Sequence, residues 1–191
     1  MCNPACIRFA LDHIGRLDVE GKSVLEVGSH NVNGSFRDHI HYFRPASYLG
    51  VDALAGPGVD QVCRAEDLLS TFGPASFDLI VSTEMLEHVA EWRPVVRNLK
   101  ECVKPWGELV ITTRSYGFPL HQYPDDYWRF ETYDLQRIFT DFQIETLMKD
   151  PSEPGVFLKA VRPEFSSPAD LDSILLFSMK TQTRESAPAP T

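Results

Sequence analysis

The stretch VLEVGSHNVNG, Val24 to Gly34, decides how the rest of the chain is read. It opens as an apolar run carrying one acid, Glu26, as a strand buried on both faces of a parallel sheet does. Glycine breaks the run at Gly28 and again at Gly34. The two lie six apart, so this is not the G-x-G-x-x-G turn that seats a dinucleotide pyrophosphate. Between them stand Ser29, His30, Asn31, Val32 and Asn33, a bulkier set suited to hydrogen-bonding a small zwitterion. The N–H groups of a helix opening near Gly34 would favour an anionic group there.

Outward from this stretch, strands and helices alternate. Asn3-Pro4 reads as a helix cap with proline at the first helical position, followed by Ile7, Ala10, Leu11 and Ile14 at helical spacing up to Gly15. Strands are predicted over 23–28, 47–52, 60–64, 77–83 and 108–113, and a helix over 33–43. Trp92, Val95, Val96, Leu99 and Val103 form an amphipathic stripe that stops at Pro105-Trp106-Gly107. Thr132 with Asp134 predicts a further helix cap. The strands FQIETLM (142–148) and GVFLKAV (155–161), on either side of a Pro-rich turn, predict an antiparallel pair.

This order predicts an α/β fold, Rossmann-like and doubly wound, with a mostly parallel seven-stranded sheet whose last strand is antiparallel. A single domain is expected over 1–163, with a helical segment over 1–20 and the core over 21–163. Beyond it, 164–191 reads as a Ser-, Pro- and Ala-rich tail. In that tail LDSILLFSM suits one short helix, a candidate homodimer contact, before a disordered SAPAPT end.

The 191 residues carry a formal charge of −9, with 43% hydrophobic and 24% charged residues. The sequence pI near 5.1 leans away from a nucleic-acid partner. No apolar run approaches a membrane span, and Asp12, Asp18 and Glu20 stand where a secretion signal would be apolar. Cysteines at 2, 6, 63 and 102 form no disulfide framework, so a reduced, cytoplasmic protein is expected. Cys2 and Cys6 could share a helix face, where packing is the preferred reading over a metal or redox pair.

The order E-x-G…G, then GVD, then FDLIVSTEMLEHV, then LK…VKPWGELVITT resembles class I S-adenosylmethionine-dependent methyltransferases over roughly 20–162, and is similar to the small type-11 members. The resemblance implies that Glu26, Gly28 and Gly34 hold the methionine end of S-adenosylmethionine; Ser29 and Asn33, from the reading of the turn, are assigned to the cofactor beside them. It implies that Asp52 binds the ribose hydroxyls, that Ala53 and Leu54 pack the adenine, and that Ala65 and Glu66 meet its edge. Ser82 and Thr83, closing the fourth strand, are assigned to the cofactor side. Two departures stand out: Arg64 where relatives often have Asp, and Trp106 in place of a glycine.

Methyl transfer from a sulfonium asks the protein to align the acceptor, exclude water and, for a hydroxyl or protonated amine, supply a base. In STEMLEHV (82–89), a helix would put Glu84, Glu87 and His88 on one face. E-x-x-E-H resembles the metal cluster of small-RNA 2′-O-methyltransferases and some quinone-ring O-methyltransferases. A divalent metal is possible on that resemblance, but loop orientation or substrate contact by Glu87 and His88 is preferred. RSYGFPLHQYPDDYWRF (114–130) is six-seventeenths aromatic and holds several polar groups, as a small-molecule pocket does. His121 is the favoured base, because an unperturbed imidazole titrates near neutrality, with Asp126 beside it. Tyr123, Tyr127 and Arg129 are assigned to the acceptor. Arg129 could pair an acceptor carboxylate or phosphate, or cap Asp126. The expected activity is therefore methylation of an oxygen or nitrogen on a small molecule. The rivals are metal-assisted 2′-O-methylation of a ribose or RNA end and a non-catalytic cofactor-binding scaffold.

Overall fold

β1 (Ser23–Val27) runs between β2 (Ser47–Asp52) and β4 (Phe77–Thr83), parallel to both. β3 (Gln61–Val62) extends the sheet beyond β2, while β5 (Val103–Arg114), β8 (Gly155–Val161) and β7 (Gln143–Lys149) extend it beyond β4. The order is β3-β2-β1-β4-β5-β8-β7, and only β8 is reversed, pairing antiparallel with β5 and β7. This is the predicted seven-stranded, doubly wound sheet. The structure, a computed structural model, describes residues 4–32, 34–121 and 125–187. Among them, no helix is long and apolar enough to cross a membrane.

The strands are apolar throughout because both faces are covered. Val24, Leu79, Val81 and Val110 pack with residues of α1 (Pro4–His13) and α3 (Arg37–Tyr42). Their neighbours Leu25, Ile80, Leu109 and Ile111 face the other way, with residues of α5 (Trp92–Cys102) and α6 (Thr132–Ile138). Strand order reverses between β1 and β4, which leaves a crevice beyond the carboxyl ends of these strands.

Several boundaries differ from expectation. The helix predicted from Asn33 begins only at Arg37. Gly34 is held by the Asn31 side chain and the Arg37 amide donates to Ser35 Oγ, so 34–36 form a turn. Pro105-Trp106-Gly107 does not separate helix from strand. β5 begins at Val103, directly after α5, and absorbs the left-handed Trp106 as an irregularity in its pairing with β4. The cap of α6 is Glu131, not Thr132, and its amide donates to Asp134 Oδ2 at 2.9 Å. The short helices α2 (Arg16–Val19) and α4 (Leu68–Phe72) were not foreseen.

Where a short helix was expected in LDSILLFSM, the chain forms strand β9 (Leu176–Ser178), paired with β6 (Trp128–Arg129) and β10 (Arg184–Glu185). Ile174, Leu176 and Ser178 are buried in alternation, a period of two that suits a strand laid along the open edge of β6. Arg93 fixes the approach by donating to the carbonyls of Leu171 and Ile174 at 2.9 and 2.5 Å. The end of SAPAPT, from 188 onward, lies outside the described residues, as do Asn3 and Cys2.

Candidate active site

A cavity of about 360 Å³ opens beyond the carboxyl ends of β1, β2 and β4. Gly28 leaves β1 there with φ +83°, and a Cβ on it would lie 3.0 Å from the Met85 Cβ, so turn and packing both require glycine. Asp52 ends β2 with one oxygen accepting the His30 amide at 3.3 Å and the other the Leu54 amide at 3.0 Å. Ala53 and Leu54 continue the same wall. Opposite stand Ala65 and Glu66, whose carbonyls accept Nδ2 of the buried Asn98 at 3.0 and 2.6 Å, so α5 fixes that turn. Thr83 lines the cavity from the end of β4.

Four other predicted cofactor residues do not line it. Glu26 is buried and accepts the Tyr48 hydroxyl. Burial pushes its carboxyl up to about 8, with Arg37 pulling the other way. Ser29 and Ser82 are buried with hydroxyls lacking a hydrogen-bond partner among the described residues. Gly34 lies in the turn below, its amide on Asn31 Oδ1 at 3.0 Å. Asn33 is outside the described residues.

On the acceptor side, no helix carries Glu84, Glu87 and His88 together. Glu84 is left-handed, with φ +52°, Leu86–His88 form one 3₁₀ turn, and α5 starts only at Trp92. Glu84 is turned onto Arg114, and Cys6 Sγ donates to it at 3.4 Å. Burial and the neighbouring Glu87 push the Glu84 carboxyl up, and Arg114 opposes them.

A different trio converges instead. Glu87 is fully buried, with Oε2 accepting the Thr113 hydroxyl at 2.8 Å. His88 Nδ1 donates to the Asp125 carbonyl at 2.5 Å, and its Nε2 lies 3.9 Å from Glu87 Oε1. His121 Nε2 lies 3.8 Å from the same oxygen, and the two imidazoles meet edge to face at 4.8 Å. Behind His121, Nδ1 lies 3.0 Å from Asp126 Oδ2, which also accepts the His121 amide at 2.9 Å. Arg129, itself buried, grips both Asp126 oxygens at 2.5 and 2.7 Å. Burial works against the Asp126 charge, but the bonds from Arg129 and His121 outweigh it. They hold the carboxyl well below the usual carboxylate range.

A family model described as a methyltransferase domain matches residues 6–150. The chain belongs to that family. The methyltransferase domain is similar to the ubiquinone biosynthesis O-methyltransferase of Idiomarina loihiensis, at 31% identity over 58% of this chain and 49% of that protein. That of Pseudomonas syringae pv. tomato is 32% identical over 51% of this chain and 47% of its own length. The chain thus spans about half the length of the curated relatives it matches. Among solved structures, the Burkholderia thailandensis 1,6-didemethyltoxoflavin-N1-methyltransferase, with bound 1,6-didemethyltoxoflavin and S-adenosylhomocysteine, superposes with a TM-score of 0.68 at 16% identity. The match covers 85% of this chain and 80% of that one. A likeness at that identity is one of fold.

In the methyltransferase domain, His88 and Tyr127 line the cavity, whereas Glu87, His121, Asp126 and Arg129 do not. Tyr123 lies outside the described residues. His30, which the sequence places only among the turn residues suited to a small zwitterion, lines the cavity, as do Met85 and Asp125, to which it assigns no role of their own. His30 stood in the quoted turn and was legible there. Met85 and Asp125 depend on contacts across the fold, to Gly28 and His88, which leave no local signal.

Proposed function

We propose that this chain transfers a methyl group from S-adenosylmethionine to an oxygen or nitrogen of a small-molecule acceptor, and to oxygen first. The observation that carries this reading is the cavity at the strand switch, bounded by Gly28, Asp52 and the Ala65–Glu66 turn. Its volume suits a ligand of nucleoside size, and Asp52 offers a carboxylate at the end of β2, where ribose hydroxyls bind in such folds. Glu26, Ser29 and Ser82 add buried polar groups near the Gly28 turn. The cofactor, when bound, supplies a reactive methyl and a neutral leaving group.

The chain's own residues must then place the acceptor and take its proton. His88 faces the cavity with Nδ1 committed to a carbonyl, leaving Nε2 to accept a hydrogen bond from an acceptor hydroxyl. His121 is the base in this reading, although it stands behind His88, ring to ring at 4.8 Å, and not on the cavity wall itself. Asp126, anchored by Arg129, holds the Nδ1 side, so Nε2 is the nitrogen that receives a proton. The names of the curated relatives, O-methyltransferases of ubiquinone biosynthesis, favour oxygen as the acceptor atom. The test is transfer of labelled methyl from S-adenosylmethionine to a panel of catechols, other phenols and amines. Labelled phenol ethers are expected, and no transfer to any of them would sink the reading.

One observation favours a second reading. Glu87, His88 and His121 present ligand atoms that all lie within 4.8 Å of one another, and Glu87 Oε1 is buried without a hydrogen-bond partner among the described residues. Two imidazoles and a carboxylate suit a divalent ion that could polarise the acceptor. Activity lost to a chelator and restored by manganese or magnesium would favour it. Unchanged activity in metal-free protein would remove it.

A further inference from the structure

Arg37 does not line the cavity, yet it joins the loops that do. Standing at the start of α3, it donates from Nη1 and Nη2 to the two Asp60 oxygens at 3.1 and 2.7 Å, and from Nη2 to the Gly58 carbonyl at 2.7 Å. Asp60 is bound in turn to β2. Its Oδ2 accepts the Gly50 amide at 2.7 Å, and its own amide donates to the Gly50 carbonyl at 2.8 Å. The Asn31 amide, in the turn after β1, donates to the Pro57 carbonyl at 2.7 Å. Residues 53–60 are therefore fastened at the middle and the far end, with Asp52, Ala53 and Leu54 at the near end facing the cavity.

Gly50 is the point of convergence. A Cβ there would lie 2.6 Å from the Gly58 carbonyl oxygen, 2.8 Å from Arg37 Nη2 and 2.9 Å from Ser29 Oγ. The guanidinium also stacks on the Tyr48 ring at 4.6 Å, and the Tyr48 hydroxyl donates to Glu26. One side chain thus touches both the loop after β2 and, in Tyr48, the partner of the buried Glu26.

We propose that Arg37 is a positioning residue for the cofactor: with Asp60 and Gly50 it clasps the loop after β2 in the shape that carries Asp52, Ala53 and Leu54 to the cavity wall. The proposal rests on the cofactor reading above. Arg37 and Asp60 are partly exposed, and such pairs add little to global stability. The value of the clasp lies in loop order, because a loop that must be ordered on binding weakens affinity.

Arg37→Ala, Arg37→Lys and Asp60→Asn separate these effects. Arg37→Ala is expected to raise the dissociation constant for S-adenosylhomocysteine by about tenfold or more, while the melting temperature moves by no more than about 4 °C. Arg37→Lys should recover part of the affinity, since it keeps the charge but not the fork that spans both Asp60 oxygens. Asp60→Asn should fall between wild type and Arg37→Ala. Amide exchange in ligand-free protein reads the clasp directly: the Asn31 and Asp60 amides should exchange faster in Arg37→Ala. A folded Arg37→Ala that binds within about twofold of wild type, or whose two amides exchange unchanged, overturns the proposal. Wild type failing to bind S-adenosylhomocysteine would instead overturn the cofactor reading, and the amide exchange would still decide the clasp.

Discussion

Asp52 holds two backbone amides and faces the cavity, so its side chain serves the wall and the ligand together. Asp52→Ala is expected to weaken S-adenosylhomocysteine binding by about 1.5–3 kcal/mol, the range for a hydrogen bond to a charged group. Calorimetry reads this, and unchanged affinity would place the ribose elsewhere. His121→Ala should leave that binding unchanged while lowering turnover by about 10²-fold, as loss of a general base does. A variant that lost cofactor binding instead would mean that the 114–130 loop supports the cofactor wall. Gly28 and Asp52 could be read from sequence because a strand end fixes where they stand. Glu84 could not. Helical arithmetic put it beside Glu87 and His88, but its left-handed backbone turns it onto Arg114. The two readings of Arg129 also needed distances, and the structure commits its fork to Asp126.

Among the elements, β4 and α5 follow their sequence patterns closely, because one is apolar on both faces and the other on a single stripe. The segment after Pro163 was harder to read. Its Ser and Pro content suggested a loose tail, yet Leu171, Ile174 and Leu176 enter the core and β9 completes a small sheet with β6. The deciding factor is an open strand edge two residues long, supplied from 128–129, which no local pattern announces. Leu176→Ala should therefore destabilise the fold by about 2–5 kcal/mol, the cost of a buried leucine truncation. Urea unfolding measures it, and a loss under about 0.5 kcal/mol would mean that the segment is not part of the cooperative core. The same segment touches the site, since the Met179 amide donates to the Tyr127 carbonyl at 2.8 Å.

For the molecule as a whole, the buried Glu26 makes stability depend on pH. Its carboxyl is pushed from an ordinary value of 4.5 up to about 8, chiefly by burial. Between those values the folded chain keeps a proton that the unfolded chain has released, so this group's contribution to stability falls as pH rises from about 4.5 to about 8 and then levels off. Glu26→Gln should flatten that slope, as read by urea unfolding at several pH values across the window. Parallel curves for variant and wild type would mean that Glu26 is charged throughout. Sheet order, cavity and family all place this chain among methyltransferase domains, so the central question is whether the cavity takes the cofactor. The most direct measurement is calorimetric titration of S-adenosylhomocysteine into chelator-stripped protein. A dissociation constant of about 1 μM or tighter is expected without added metal. No heat, either there or after adding manganese, would contradict a cofactor site at Gly28 and Asp52.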